Sequence, residues 1–419
     1  MKIQFPILIV GLGKSGQSIK RLLSHLYPKH TDEIKAYDDK SSDADFIGHQ
    51  TPLEKVLETY KPATLVVSPG VPLQTPGLKN WTGLLTSELD LAYQCLTDEK
   101  VISVTGSMGK STTVSLLGEA VHALSKDNFV GGNLGFPLAD YIFELQTGLR
   151  GKAKWVVLEL SSYQLENFKS LNSHTSVLTA LSPNHLERYP DLEAYYSTKW
   201  TLLGKTQGSF FINFDNAEVL RWCSSKLTQQ ITCVYSRDFT AHKMSMVGSH
   251  NRENLSLALA VAKSLSFPAT AISAIENYKG LPHRLELVSE TKGVRYINDS
   301  KATTIESVLA AVKSCLPDVK NGSRLVVLIG GKDKNLPWEN LKELAHDKKL
   351  NFIFFGECAE LAQVKSALSG PQFSSLKQAF IHAQSQTEDG DTVLLSPGGS
   401  SLDEFKNFEQ RGDFFRSLI

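Results

Sequence analysis

Short aliphatic and β-branched runs alternate with stretches of helical periodicity along the whole chain. That is the signature of parallel sheets covered by helices. Residues 7–10, 34–37 and 65–67 read as one group of strands. A second group holds residues 101–104, 155–160, 176–181 and 210–214, and a third holds 295–297, 325–329, 352–355 and 392–395. Helical patterns fill 17–26 and 254–265. No Pro/Ser linker or short-period repeat interrupts the sequence. Boundaries are expected between residues 91 and 100 and at Tyr278-Lys279-Gly280-Leu281-Pro282, dividing the chain at 1–92, 93–280 and 281–419.

Composition narrows the function classes. The 419 residues carry 44 Lys plus Arg against 44 Asp plus Glu, so the net charge is zero and a general polyanion binder is not expected. With 41% hydrophobic and 21% charged residues the chain is not disordered. No apolar stretch approaches the roughly 20 residues needed to span a bilayer. Phe5 to Val10 is short, runs into Gly11 and lacks a cleavage pattern, so a cytoplasmic protein is expected. Five scattered cysteines form no CxxC pair, which points to neither a disulfide framework nor a zinc site.

Candidate chemistry sits where strands end. Gly11-Leu12-Gly13-Lys14-Ser15-Gly16 follows a strand and opens a helix, and Asp38 and Asp39 end the next strand. Glycines there allow a tight turn and close approach of a diphosphate to the helix N-terminus; the alternative is a tight turn alone. Gly106-Ser107-Met108-Gly109-Lys110-Ser111-Thr112 again links strand to helix, with Val104 in place of the usual first glycine. Its N–H groups can cradle phosphates, Lys110 offset their charge, and Ser111 reach Mg²⁺. Glu159 lies in an apolar strand, where a carboxylate needs a partner or a metal unless it faces outward. His185 follows the next strand, where open sheets place ligands; a loop histidine alone is more often incidental, and this position makes a functional role equally expected. Farther on, Pro282 to Glu286, Asn298 to Thr303, Gly330 to Lys334 and Ser396 to Ser401 gather charge at strand ends.

These segments occur in one order with Ser68-Pro69-Gly70, GGNLG (131–135), LELSSYQLE (158–166), HLERYP (185–190), GSHNRENLSLA (248–258) and SPGGSSLDEFKNFEQRG (396–412). Over nearly its whole length the sequence thereby resembles the Mur ligases, ATP-dependent amide-forming enzymes of peptidoglycan precursor synthesis. The last segment most resembles the branch that adds D-glutamate to UDP-N-acetylmuramoyl-L-alanine. The resemblance implies an α/β protein of three domains: a Rossmann-like domain for the UDP-sugar (1–92), a central P-loop ATPase domain with a mostly parallel sheet (93–280), and a Rossmann-like amino-acid domain (281–419). It implies ATP as cosubstrate, two Mg²⁺ ions, and a reaction through an acyl phosphate and a tetrahedral intermediate. A monomer with no nucleic-acid partner and no membrane insertion is expected.

By position, the resemblance makes Lys110, Glu159, His185 and Lys199 catalytic, with Ser111, Glu159, His185 and a carbamylated Lys199 as metal ligands. The phosphate loop from Gly106 to Thr112, with Asn251, Asn254, Arg284 and Asp299, would contact ATP. Gly13, Lys14, Ser15, Asp38, Gly70, Asn133 and His185 would meet the UDP-sugar. Lys301, Thr303, Lys334, Ser401 and Phe408 would surround D-glutamate. The chain departs from the family pattern at Met108, usually asparagine, and at Asn184, often aspartate. It departs also in a shorter His185-to-Lys199 spacing and in an extra lysine in Gly330-Gly331-Lys332-Asp333-Lys334, which leaves open whether Lys332 or Lys334 meets D-glutamate. Another Mur ligase or a folylpolyglutamate synthase-like ligase is the nearest alternative, and a nicotinamide or flavin oxidoreductase built on the first glycine loop is a further one.

Overall fold

The computed structural model describes residues 3–184, 188–239, 246 and 248–419. Three sheets organise them. The first contains β1 (Ile7–Val10), β2 (Ile34–Asp38), β3 (Phe46–Ile47), β4 (Thr64–Val67) and β5 (Leu84–Thr86). Its order is β3-β2-β1-β4-β5 and its pairings are parallel. The second contains β6 (Lys100–Thr105), β7 (Phe129–Gly132), β8 (Trp155–Glu159), β9 (Thr175–Leu178), β10 (Phe210–Asn213) and β11 (Ile231–Val234). Its order is β11-β10-β9-β6-β8-β7, again parallel. The third contains β12 (Glu286–Thr291), β13 (Val294–Asn298), β14 (Leu325–Gly330), β15 (Leu350–Phe355), β16 (Gln372–Phe373) and β17 (Thr392–Gly398), in the order β12-β13-β17-β14-β15-β16. There β12 alone runs antiparallel, at one edge.

Every position of β1, β4, β8, β9, β14 and β17 is buried, and β1 and β14 accordingly read as unbroken apolar runs, whereas β9 and β17 also bury Thr and Ser. In each sheet the loops bearing the candidate chemistry leave the carboxyl ends of neighbouring strands, where open α/β sheets hold their ligands.

Contacts divide the chain into two compact units, Met1–Thr240 with Glu253–Ile275 and Ala241–Arg252 with Glu276–Ile419. The first two sheets therefore share a unit. One continuous core runs through it, from Ile7, Ile19 and Leu22 by way of Leu138 and Tyr141 to Leu158 and Tyr195.

Glu88 joins those two sheets. Helix Leu138–Gln146 begins after Pro137 with no side-chain cap of its own, and the buried carboxylate of Glu88 accepts the Ala139 N–H at 2.7 Å. An anion at a helix N-terminus is stabilised by the exposed N–H groups there. Burial pushes the Glu88 carboxyl up to about 8 from its usual 4.5, opposed by the Ala139 N–H and reinforced by Asp140. A carboxyl raised on folding binds its proton more tightly in the native state, so its contribution to stability falls as pH rises from about 4.5 to about 8. Glu88→Gln is expected to remove that slope. Scanning calorimetry at either end of the window should show a smaller drop in melting temperature for the variant; equal drops would reject the assignment.

Candidate active site

The phosphate loop is set by backbone geometry. Gly109 ends it with φ +82°, left-handed and favourable for glycine, and a Cβ there would run into the Asn254 side-chain amide. Helix Lys110–Leu124 follows, burying Val114, Leu117 and Val121, with Gly118 allowing close approach to Val130 of β7. Ser107 is fixed on both sides: its Oγ donates to the Ser182 carbonyl at 3.0 Å and accepts the Ser182 N–H at 3.1 Å. Met108 is 54% exposed, so the departure from asparagine lies on the loop's outer face.

Two ammonium groups converge on one carbonyl. Lys110 Nζ donates to Gly106 O and to Ser107 O, each at 3.0 Å, and Lys199 Nζ donates to Gly106 O at 2.9 Å. Lys199, on helix Leu192–Trp200, is only 1% exposed, with its ammonium 4.6 Å from the Tyr195 ring centre. Burial drives its pKa well below the usual lysine range, and repulsion from Lys110 adds to the shift. Burial and Lys110 thus both disfavour its charged form.

Glu159 ends β8, one strand over from β6. Its Oε1 accepts from Asn133 Nδ2 at 2.7 Å, while Oε2 is buried without a partner among the described residues. An orphaned carboxylate oxygen is costly unless a cation meets it, so the donor set fits a divalent metal. Asn133, expected against the UDP-sugar, stands at this carboxylate. Among the described residues no three His, Cys, Asp or Glu side chains form a metal cluster, and His185 lies outside them. Asn251 and Asn254 share helix Ser249–Ser264, and Asn254 Oδ1 accepts from Thr113 Oγ1 at 3.3 Å. Asn254 therefore braces the phosphate loop.

In the first sheet Gly11 has φ +91° and packs against Ser68 and Val71, whereas space around Gly13 and Gly70 is open. Lys14 is exposed at the start of helix Lys14–Leu26, with Ser15 half-buried beside it. Asp38, expected to take a ribose, already accepts N–H bonds from Leu12 at 2.7 Å and from Lys40 and Ser41, both at 2.9 Å. Burial works to raise its pKa, but the three donors prevail and hold the carboxyl below its ordinary value. Asp38 thus ties the glycine loop to β2.

In the third sheet, loops after β13, β14 and β17 come together. Arg284 is exposed between His283 (φ +61°) and Leu285 (φ +44°), two strained non-glycine residues. That strain is held by the Leu285 N–H donating to Asp299 Oδ1 at 3.2 Å and the Lys301 N–H donating to the His283 carbonyl at 3.1 Å. Asn298 Nδ2 also donates to His283 Nδ1 at 3.0 Å. Asp299 is buried, and burial raises its pKa to about 7 against the pull of Ser396 and Arg284. Lys301 Nζ lies 5.4 Å from the Phe408 ring centre. Ser401 is buried, Thr303 is half-buried and Lys334 is exposed. Lys332 forms an ion pair with Glu357 at 3.2 Å, so Lys334 is the lysine of that loop not engaged by a carboxylate among the described residues.

The signature of the Mur ligase middle domain matches residues 104–238, and that of the Mur ligase glutamate ligase domain matches residues 283–399. UDP-N-acetylmuramoylalanine–D-glutamate ligase of Myxococcus xanthus is 31% identical, covering 99% of this chain and 97% of its own. The chain belongs to the Mur ligase family.

As a Mur ligase it is an ATP-dependent amide-bond-forming enzyme of peptidoglycan synthesis, which sets aside an oxidoreductase built on the first glycine loop. The fold recurs in MurF ligase of Thermotoga maritima in complex with ADP, with TM-score 0.57 and 16% identity over 90% of this chain and 93% of that one. It recurs also in UDP-N-acetylmuramate-alanine ligase of the same organism, with TM-score 0.54 and 17% identity over 99% and 100%. No helix among the described residues is long and apolar enough to cross a membrane.

Sequence reasoning passed over the side chains that hold this Mur ligase's loops. Arg411 is fully buried and donates to Ser300 Oγ (3.0 Å), the Ser300 carbonyl (2.9 Å) and the Gly399 carbonyl (3.2 Å), tying the loops after β13 and β17 together. Burial lowers its pKa to about 10. His283 is a second such anchor, and a side chain on Gly412 would collide with it. Both sit in quoted motifs, but only the fold shows what they hold.

Proposed function

We propose that this enzyme joins D-glutamate to UDP-N-acetylmuramoyl-L-alanine, in the cytoplasm and as a monomer, with ATP as cosubstrate. The convergence of Lys110 and Lys199 on Gly106, one strand away from the orphaned Glu159 oxygen, carries the reading. It assembles the charges needed to bring a phosphate and a carboxylate together. The acceptor's terminal carboxylate oxygen attacks the γ-phosphorus of ATP, the bond to ADP breaks, and an acyl phosphate forms. The D-glutamate amine adds to the acyl carbon; the tetrahedral intermediate expels phosphate, and the amine proton passes to solvent or a nearby base.

Lys110 would offset charge on the transferring phosphoryl group, the loop N–H groups would orient it, and Arg284 would meet a nucleotide phosphate. Mg²⁺, two ions in this reading, would neutralise phosphate oxygens when bound; Ser111, Glu159 and a carbamylated Lys199 would hold it, with His185 from outside the described residues. Lys301, Lys334, Thr303, Ser401 and Phe408 would receive D-glutamate, whose two carboxylates suit two cations and hydroxyl donors. Gly13, Lys14, Ser15, Gly70 and Asn133 would face the UDP-sugar, beside an Asp38 that shapes their loop. Phosphate release is expected only when UDP-N-acetylmuramoyl-L-alanine, D-glutamate, ATP and Mg²⁺ are all present. Release that ignored D-glutamate and required another amino acid would move the enzyme to a sibling reaction.

A further inference from the structure

Ser68-Pro69-Gly70, at the carboxyl end of β4, is anchored at its base. The Ser68 N–H donates to the Val10 carbonyl and the Val71 N–H to the Ser68 carbonyl, at 2.9 and 3.0 Å. Its middle is held from the second sheet. Arg188 Nη1 donates to the Pro69 carbonyl at 3.0 Å. The other edge of the same guanidinium grips Glu166 in a fork, Nε to Oε1 at 3.1 Å and Nη2 to Oε2 at 2.6 Å, and its face lies 4.1 Å from the Tyr163 ring centre. The Arg188 and Glu166 side chains are only 11% and 17% exposed, so this is a shielded, bidentate pair rather than a screened surface contact.

The contacts continue inward. Tyr189 donates its hydroxyl to Glu166 Oε1 at 2.5 Å, and burial pushes that hydroxyl's pKa up, which keeps it a donor. The Tyr189 ring packs 5.3 Å from that of Tyr195, whose hydroxyl donates to Ser107 Oγ in the phosphate loop at 3.1 Å. Lys199 stands one turn farther on the same helix. An unbroken run of contacts therefore joins the Pro69 loop to the loop that cradles phosphate.

We infer that Arg188 is a positioning residue, keying the Ser68–Gly70 loop to the phosphate loop so that the acceptor's carboxylate meets the γ-phosphate in line. This rests on the proposed reading that Gly70 faces the UDP-sugar. A lysine gathers its donors on one atom and cannot serve the two separated edges of the planar fork at once. Misplacement by about 1 Å is enough to slow a reaction that depends on alignment.

Arg188→Lys is expected to lower kcat about tenfold and to raise KM for UDP-N-acetylmuramoyl-L-alanine about tenfold, while KM for ATP and for D-glutamate stays within about twofold. In the substrate-free protein, hydrogen exchange at the Ser68 and Val71 amides should quicken about tenfold, with helix Lys110–Leu124 unchanged. An unchanged acceptor KM, or an equal rise in all three, would overturn the inference. Wild-type enzyme that failed to turn over this acceptor would defeat the functional reading instead. The exchange measurement would then decide the role of Arg188 by itself, unchanged protection counting against it. Should Arg188→Lys not fold, Glu166→Gln keeps one acceptor for the guanidinium and should show the same split at about threefold; no split there would also overturn it.

Discussion

Alanine in place of Lys110 is expected to lower phosphate release about 10³-fold while the UDP-linked acceptor binds as before. The ammonium lies over the loop, 3.0 Å from two of its carbonyls, and its cationic head is the part of Lys110 that phosphate chemistry uses. The loop itself does not depend on it. Ser107 remains fixed to Ser182, Gly109 remains packed against Asn254, and Gly106 O keeps its bond from Lys199. Steady-state phosphate release and calorimetric titration of the acceptor separate the two effects. An unaltered rate would reject the phosphate-loop assignment, and lost acceptor binding would show that the loop had collapsed.

Lys199→Ala should reduce the rate about 10²-fold, and added formate or acetate should restore part of it. Lys199 is a buried amine facing the like charge of Lys110, and burial first and Lys110 second depress its pKa. The ammonium gives up a proton to solvent, and the neutral amine can then add to carbon dioxide: the N–C bond forms as a C–O π bond opens, a second proton leaves, and an anion stands where the cation was. Repulsion from Lys110 would then become attraction, and an oxygen donor would stand by Gly106. A short carboxylate entering the space left by alanine would supply the same charge. No loss of rate would remove Lys199 from the metal site, and a loss that no carboxylate relieved would leave it a packing role.

Which parts of this were legible in the sequence follows from the physics of each element. Strands buried on both faces, such as 7–10, 155–159 and 325–329, announce themselves as apolar runs. Edge strands do not. β7 is half glycine, β12 carries Glu286 and Glu290 on a partly exposed edge, and β3 and β16 are two residues long. The phosphate loop and Glu159 were readable because strand, loop and helix follow within one segment. Asp38 and Asn254 were identified by position, yet their bonds to the glycine loop and to Thr113 depend on contacts across 26 and 141 residues, respectively. Arg188 and Arg411 were invisible as anchors for the same reason: they grip their loops at the backbone carbonyls of Pro69, Ser300 and Gly399, which any residue supplies.

The continuous core beneath the first two sheets bears on cooperativity. Ile7 and Ile19 belong to the same apolar cluster as Leu158 and Tyr195, and Glu88 caps a helix that packs between those groups. A fragment cut near residue 92 would strip an apolar surface from each piece and leave Ala139 without its acceptor. The segment proposed to recognise the acceptor is therefore smaller than the segment that shares one core, and evolution could exchange it only together with the helix face on which it rests.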